Sequence, residues 1–176
     1  EFIAYALPIS TSSYSQLAQD CWVTYMMPGK KAGVFVEIGA GDGEYLSNTK
    51  YLEDSHGWSG VLCEPNPDHH GHIESHRTSK LCKDAIVGIG SGSATLLVTQ
   101  NSYLSRLEGE FAADVHDALG NRRDAKRIDV QTTAFDLMCE QYELTDIDFL
   151  SVDTEGSELS LLQGISFDRW QIPLVC

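Results

Sequence analysis

Val34-Phe35-Val36-Glu37-Ile38-Gly39-Ala40-Gly41-Asp42-Gly43 decides the fold. Five residues dominated by β-branched and aromatic types read as a strand buried on both faces, and glycines at every second position then forbid its continuation. The strand ends in a tight turn in which glycine allows positive φ and close approach of a ligand to the backbone. A helix predicted to begin near Tyr45 and Leu46 would aim its free N–H groups into the same space. The stretch is a small-molecule cradle at the carboxyl end of a first parallel strand.

Glycine turns of this kind serve dinucleotides and S-adenosylmethionine alike. The dinucleotide fingerprint is G-x-G-x-x-G, whereas the spacing here is G-x-G-x-G. Glu37 and Asp42 flank the turn and would repel a pyrophosphate but attract an ammonium or sulfonium group. The residues therefore favour S-adenosylmethionine over NAD.

A chain of 176 residues suits one domain with one core, read here as 1–176 with an N-terminal extension over 1–12. With 42% hydrophobic and 22% charged residues the composition is that of a globular protein, and no segment has the apolar length that spans a bilayer. Twelve basic residues against 26 acidic ones give a formal charge of −14, a field that repels nucleic acid and anionic lipid. No nucleic-acid partner and no membrane insertion are expected. Five dispersed cysteines without a C-x-x-C pair read as buried thiols of a reducing compartment, so a cytoplasmic location is expected.

Along the chain, Ser13–Met27 reads as a helix stopped by Pro28 and Gly29. A crossover helix runs to about His56 with Gly57 as its cap, and Ser59–Cys63 is a second strand ending in Glu64. Pro65 and Pro67 open a helix over Asp68–Arg77 that carries His69, His70, His72 and His76 on a solvated face, where no metal site is expected. Leu81–Val87 is a third strand interrupted by Asp84, and Ser93–Thr99 is a strand able to pair with Ile128–Thr133. Residues 100–127 form a variable, possible substrate-facing segment with a helix around Glu110–Leu119. Ala134–Tyr142 is a helix. Ile147–Val152 is a buried strand running into Asp153-Thr154-Glu155-Gly156, a helix follows over Ser157–Leu162, and a further strand starts at Pro173.

Several of these stretches together resemble a known family. Ser15-Gln16 with Gln19-Asp20 is similar to an S-Q-x-G-Q-D opening in which Ala18 replaces the glycine, and Val36–Gly43 is similar to V-E-I-G-A-x-D-G. Ser47-Asn48-Thr49, Gly57-Trp58-Ser59-Gly60, Glu64-Pro65 and Asp148–Gly156 follow in the same order. The chain is identified as resembling the FkbM family of S-adenosylmethionine-dependent methyltransferases.

That resemblance implies a class I methyltransferase fold: an α/β, Rossmann-like, mainly parallel sheet with helices on both faces. It also implies O-methylation of a hydroxyl on a small molecule or carbohydrate. Carried over by position, Glu37, Gly39, Gly41 and Asp42 surround the methionine part of the donor, Ser47 and Asn48 reach its carboxylate, Glu64 takes the ribose hydroxyls, Asp84 and Ala85 lie at the adenine edge, and Asp153 and Glu155 face the reacting methyl. The family fold continues into a final antiparallel strand pair. The sequence is expected to lack that pair, so that a missing segment or a partner covers the sheet edge.

Asp153, Glu155 and His116 are the candidate bases, and the residues do not choose among them. Asp153 and Glu155 could hold Mg²⁺ or Mn²⁺, but no third ligand presents itself and a metal-free reaction is expected. The rival function is a non-catalytic interaction domain that retains the fold. It is disfavoured by the presence of Glu37, Asp42, Glu64 and Asp153.

Overall fold

Two sheets organise the described residues, 1–109 and 115–176, of the computed structural model. In chain order the elements are α1 (Phe2–Ala6), a 3₁₀ turn (Leu7–Ser12), α2 (Gln19–Met26), β1 (Val34–Ile38), α3 (Lys50–His56), β2 (Ser59–Cys63), α4 (Pro67–His76), β3 (Lys80–Cys82), β4 (Ala85–Val87), β5 (Gly92–Val98), β6 (Arg106–Leu107), α5 (Val115–Ala118), β7 (Lys126–Ala134), α6 (Phe135–Gln141), β8 (Phe149–Val152), α7 (Glu158–Gly164) and β9 (Leu174–Val175).

The first sheet has the order β3-β2-β1-β8-β9 with every pairing parallel. Its apolar strands are continuous because both faces are covered. Val36 and Ile38 of β1 pack with Phe135, Met138 and Cys139 of α6 and Leu161 of α7. Phe35, one step along the same strand, points the opposite way to Val23 of α2, Leu52 of α3 and Ile73 of α4. The chain winds from β1 outward through β2 to β3, then returns to the other side of β1 as β8. A crevice opens beyond the carboxyl ends of strands where the winding reverses, here between β1 and β8.

The second sheet, β4-β7-β5-β6, pairs β5 antiparallel to β7 from Gly92↔Thr132 to Val98↔Lys126, as the alternation of both segments predicts. Ala85, Leu96 and Val130 form its small core. Among the described residues no helix is long and apolar enough to cross a membrane.

Three expectations need correction. The single strand over Leu81–Val87 is two strands in different sheets, because the chain turns at Asp84, whose carboxylate accepts a hydrogen bond from Thr133 Oγ1 at 2.7 Å beside the β4–β7 pairing. The helix placed at Ser13 starts at Gln19. The buried Asp20 carboxylate gathers Ser13 Oγ and the backbone N–H groups of Tyr14 and Ser15, which holds that segment extended, and Ala18 enters the left-handed region at φ 61°. The helix placed near Tyr45 starts at Lys50, since Leu46 is left-handed too (φ 60°) and the chain between them follows Glu37. Within the segment read as an N-terminal extension, α1 and the 3₁₀ turn make residues 2–12 helical. The helix over Glu110–Leu119 lies partly outside the described residues, and α5 is its described part.

Candidate active site

The glycine turn is built around two close approaches. A Cβ on Gly39 (φ +82°) would stand 1.8 Å from the Asp153 carbonyl oxygen, so β1 and the tip of β8 touch backbone to backbone. A Cβ on Gly41 (φ +56°) would stand 2.8 Å from the Tyr103 ring. Both positions therefore need glycine for protein contacts as well as for conformation.

Beneath the turn, Glu37 is buried and its two carboxylate oxygens accept from Ser47 Oγ, the Asn48 backbone N–H at 2.7 Å and Thr49 Oγ1. Arg77 completes this network: it donates to the Gly43 carbonyl at 2.6 Å, to Ser47 Oγ at 3.2 Å, to Thr49 Oγ1 at 2.8 Å and to Glu53 at 3.1 Å. Burial raises the Glu37 pKa, opposed by the Arg77 charge and the hydroxyl and amide donors. Ser47 Oγ also accepts from the N–H groups of Thr49 and Lys50 and so caps α3. Glu37 and Ser47 thus form the scaffold of the cradle.

Asp42 is held by the loop itself and by Tyr103. Its carboxylate accepts from the N–H groups of Glu44 (2.9 Å) and Tyr45 (2.8 Å) and from the Tyr103 hydroxyl (2.7 Å). Burial works to raise its pKa, and these donors outweigh it, for a net lowering. Both carboxylates flanking the turn are thus engaged by protein donors, Glu37 on the lining of the cavity described next and Asp42 outside that lining.

That surface belongs to a cavity of about 560 Å³ between the tips of the parallel strands and the segment carrying Tyr103, within the range of small-molecule sites. Glu64, Asn48 and Asp153 line it. Glu64 at the tip of β2 accepts from the N–H of Gly41 at 2.9 Å and of Asn66 at 2.7 Å, yet burial raises its pKa to about 7. Asn48 donates from Nδ2 to Ser151 Oγ at 2.9 Å, while its buried Oδ1 has no hydrogen-bond partner among the described residues. Asp153 forms no side-chain hydrogen bond among the described residues. Its pKa is raised, first by desolvation and then by the Glu158 charge.

Glu155 is placed differently from Asp153. It lines the cavity with a left-handed backbone (φ 58°), and Arg122 Nη2 donates to its carboxylate at 2.7 Å. The acid that caps the strand-to-helix turn is Glu158, which accepts from the N–H groups of Thr154 and Gly156. Ala85 and His116 line the cavity, and Asp84 does not. The structure thus brings Glu37, Gly39, Gly41, Ser47, Asn48, Glu64, Ala85, Asp153 and Glu155 to one cavity, and Asp42 is not among its lining residues. Sequence reasoning missed Arg77 and Tyr103, each anchored to the turn from a distant segment. It also missed that His72 and His76 of α4 meet Glu44 of the loop.

No curated protein and no solved structure matches the chain in comparison. A family model described as the methyltransferase FkbM domain matches residues 37–176, which begins at the buried Glu37 within β1 and takes in the rest of both sheets and nearly all of the cavity lining. By that match across most of its length, the chain belongs to the FkbM methyltransferase family.

Proposed function

We propose that this methyltransferase takes S-adenosylmethionine as donor on a class I, Rossmann-like fold and methylates a hydroxyl on a small molecule or carbohydrate. The observation that carries the donor is Glu64: a carboxylate at the tip of the strand beside β1, held by two backbone donors and open to the cavity. Its remaining lone pairs suit the two adjacent hydroxyls of a ribose. The buried, unpartnered Asn48 Oδ1 supports the same reading, as an acceptor for the donor's ammonium group. Gly39 and Gly41 keep the floor flat enough for the thioether chain, and Ala85 offers a small wall for adenine.

When bound, the sulfonium supplies an electrophilic methyl carbon and leaves as a neutral thioether. The protein's task is to align a hydroxyl oxygen with that carbon and to receive the hydroxyl proton. Asp153 suits the second role, because it lines the cavity, forms no side-chain hydrogen bond among the described residues, and has its pKa raised by desolvation and the Glu158 charge. Glu155, committed to Arg122, holds the wall of the acceptor side. Calorimetry with S-adenosylmethionine, S-adenosylhomocysteine and NAD in parallel tests the donor. Binding of the first two and not of NAD is expected, and NAD binding alone would refute the assignment. In a panel of hydroxylated acceptors, Asp153→Asn is expected to lower turnover by about a hundredfold, the scale of lost acid–base catalysis, while S-adenosylhomocysteine affinity changes only a few-fold.

A further inference from the structure

Outside the cavity, Glu44, His72 and His76 present one ligand atom each, all within 4.8 Å of one another. The two histidines stand four residues apart on α4 and therefore share a face. Their rings are stacked, with centroids 3.9 Å apart and 13° between planes. Glu44 comes from the glycine loop, its Oε2 lying 3.8 Å from His72 Nε2.

The imidazoles are oriented by backbone carbonyls. His72 Nδ1 lies 3.0 Å from the Asp42 carbonyl oxygen, and His76 Nδ1 lies 3.0 Å from the His72 carbonyl oxygen and 2.9 Å from Ser75 Oγ. A carbonyl only accepts, so each Nδ1 carries the proton and each Nε2 keeps its lone pair. Holding the distal ring N–H on a carbonyl is how proteins fix imidazoles for metal ligation. The His72 and Glu44 side chains are 39% and 37% exposed, which leaves room for water ligands and for the small closure needed. Donor atoms around a tetrahedral ion stand roughly 3.4 Å apart, given metal–nitrogen distances near 2.1 Å.

We propose that Glu44, His72 and His76 bind a borderline divalent cation, Zn²⁺ foremost, with water completing its coordination. Two imidazoles and one carboxylate select Zn²⁺ over Mg²⁺ and Ca²⁺, which require oxygen ligands. None of the three side chains lines the cavity, so the ion is structural: it ties the glycine loop to α4 outside the cavity. Asp42 passes that constraint inward, its carbonyl on His72 and its carboxylate on Tyr103. This inference is independent of the donor proposed above.

The test is calorimetric titration of ZnCl₂ and, separately, MgCl₂ into the full chain and into His76→Ala and Glu44→Gln variants, with circular dichroism to confirm folding. His76 is exposed on the last turn of α4, where alanine preserves the helix. One equivalent of Zn²⁺ is expected to bind at about micromolar affinity or tighter, with at least a tenfold loss in each variant and no heat from Mg²⁺. Absence of Zn²⁺ binding, or binding undiminished in either variant, would overturn the site.

Discussion

Arg77 Nη1 lies 3.7 Å from Glu37 Oε2, and the two side chains are 0% and 4% exposed. A buried charge without its partner is far more costly than the pair is beneficial. Arg77→Met is therefore expected to destabilise the chain by about 3 to 5 kcal/mol, a fall in Tm of roughly ten degrees. Differential scanning calorimetry measures it. A loss below about 1 kcal/mol would show that the network does not carry the stability argued for it.

Glu64 makes stability fall as pH rises. Its proton is held more tightly in the folded chain, with a pKa of about 7 against 4.5 for the ordinary group, so the unfolded state binds fewer protons between those values. The contribution is greatest below about pH 4.5, declines toward pH 7 and is level above it, by about 3 kcal/mol at most. Hydroxyl donors favour the ionised form, so S-adenosylhomocysteine affinity is expected to rise between about pH 5.5 and 7.5 and then level off. Glu64→Gln should flatten both profiles. A pH-independent affinity in the parent protein would contradict the ribose assignment.

The two turn glycines are expected to fail in different ways. Gly39→Ala drives a methyl group into the Asp153 backbone, which has nowhere to go, so the loss should appear as a lower Tm or insoluble protein. Gly41→Ala meets the edge of the Tyr103 ring, a side chain that can shift. That variant should fold with Tm reduced by only a few degrees while S-adenosylhomocysteine affinity drops by at least about tenfold. Equal thermal penalties for both would contradict the distinction.

Ala18 occupies the left-handed region at the start of α2, φ 61°. The conformation costs an alanine roughly 1 to 2 kcal/mol, part of which glycine returns as unfolded-state entropy. Ala18→Gly is expected to raise Tm by about two degrees. A decrease would mean that the Ala18 methyl makes a contact worth more than the strain.

The parallel strands and the cradle were legible because local chemistry and tertiary role agree there. A continuous apolar strand ending in glycine must turn, and Glu64 between a strand tip and Pro65 has few other uses. The division at Asp84 was not legible, since two three-residue strands leave the same apolar trace as one strand of seven. Arg77 was missed because a charge at the end of a helix looks solvated until its partners, here Glu37 and Glu53, arrive from elsewhere in the chain. Glu44 escaped notice as a companion of His72 because 28 residues separate them in sequence while the fold sets them side by side.

Tyr103 belongs to the stretch that the proposed reading turns toward the acceptor, yet its hydroxyl is anchored on Asp42 and its ring packs against Gly41. Selectivity and donor retention are therefore not separable modules. Grafting residues 100–127 from another methyltransferase to change the acceptor would loosen the donor floor unless an aromatic hydroxyl is kept at position 103. Libraries that vary this stretch should hold Tyr103 constant, or donor affinity will drift with every new specificity.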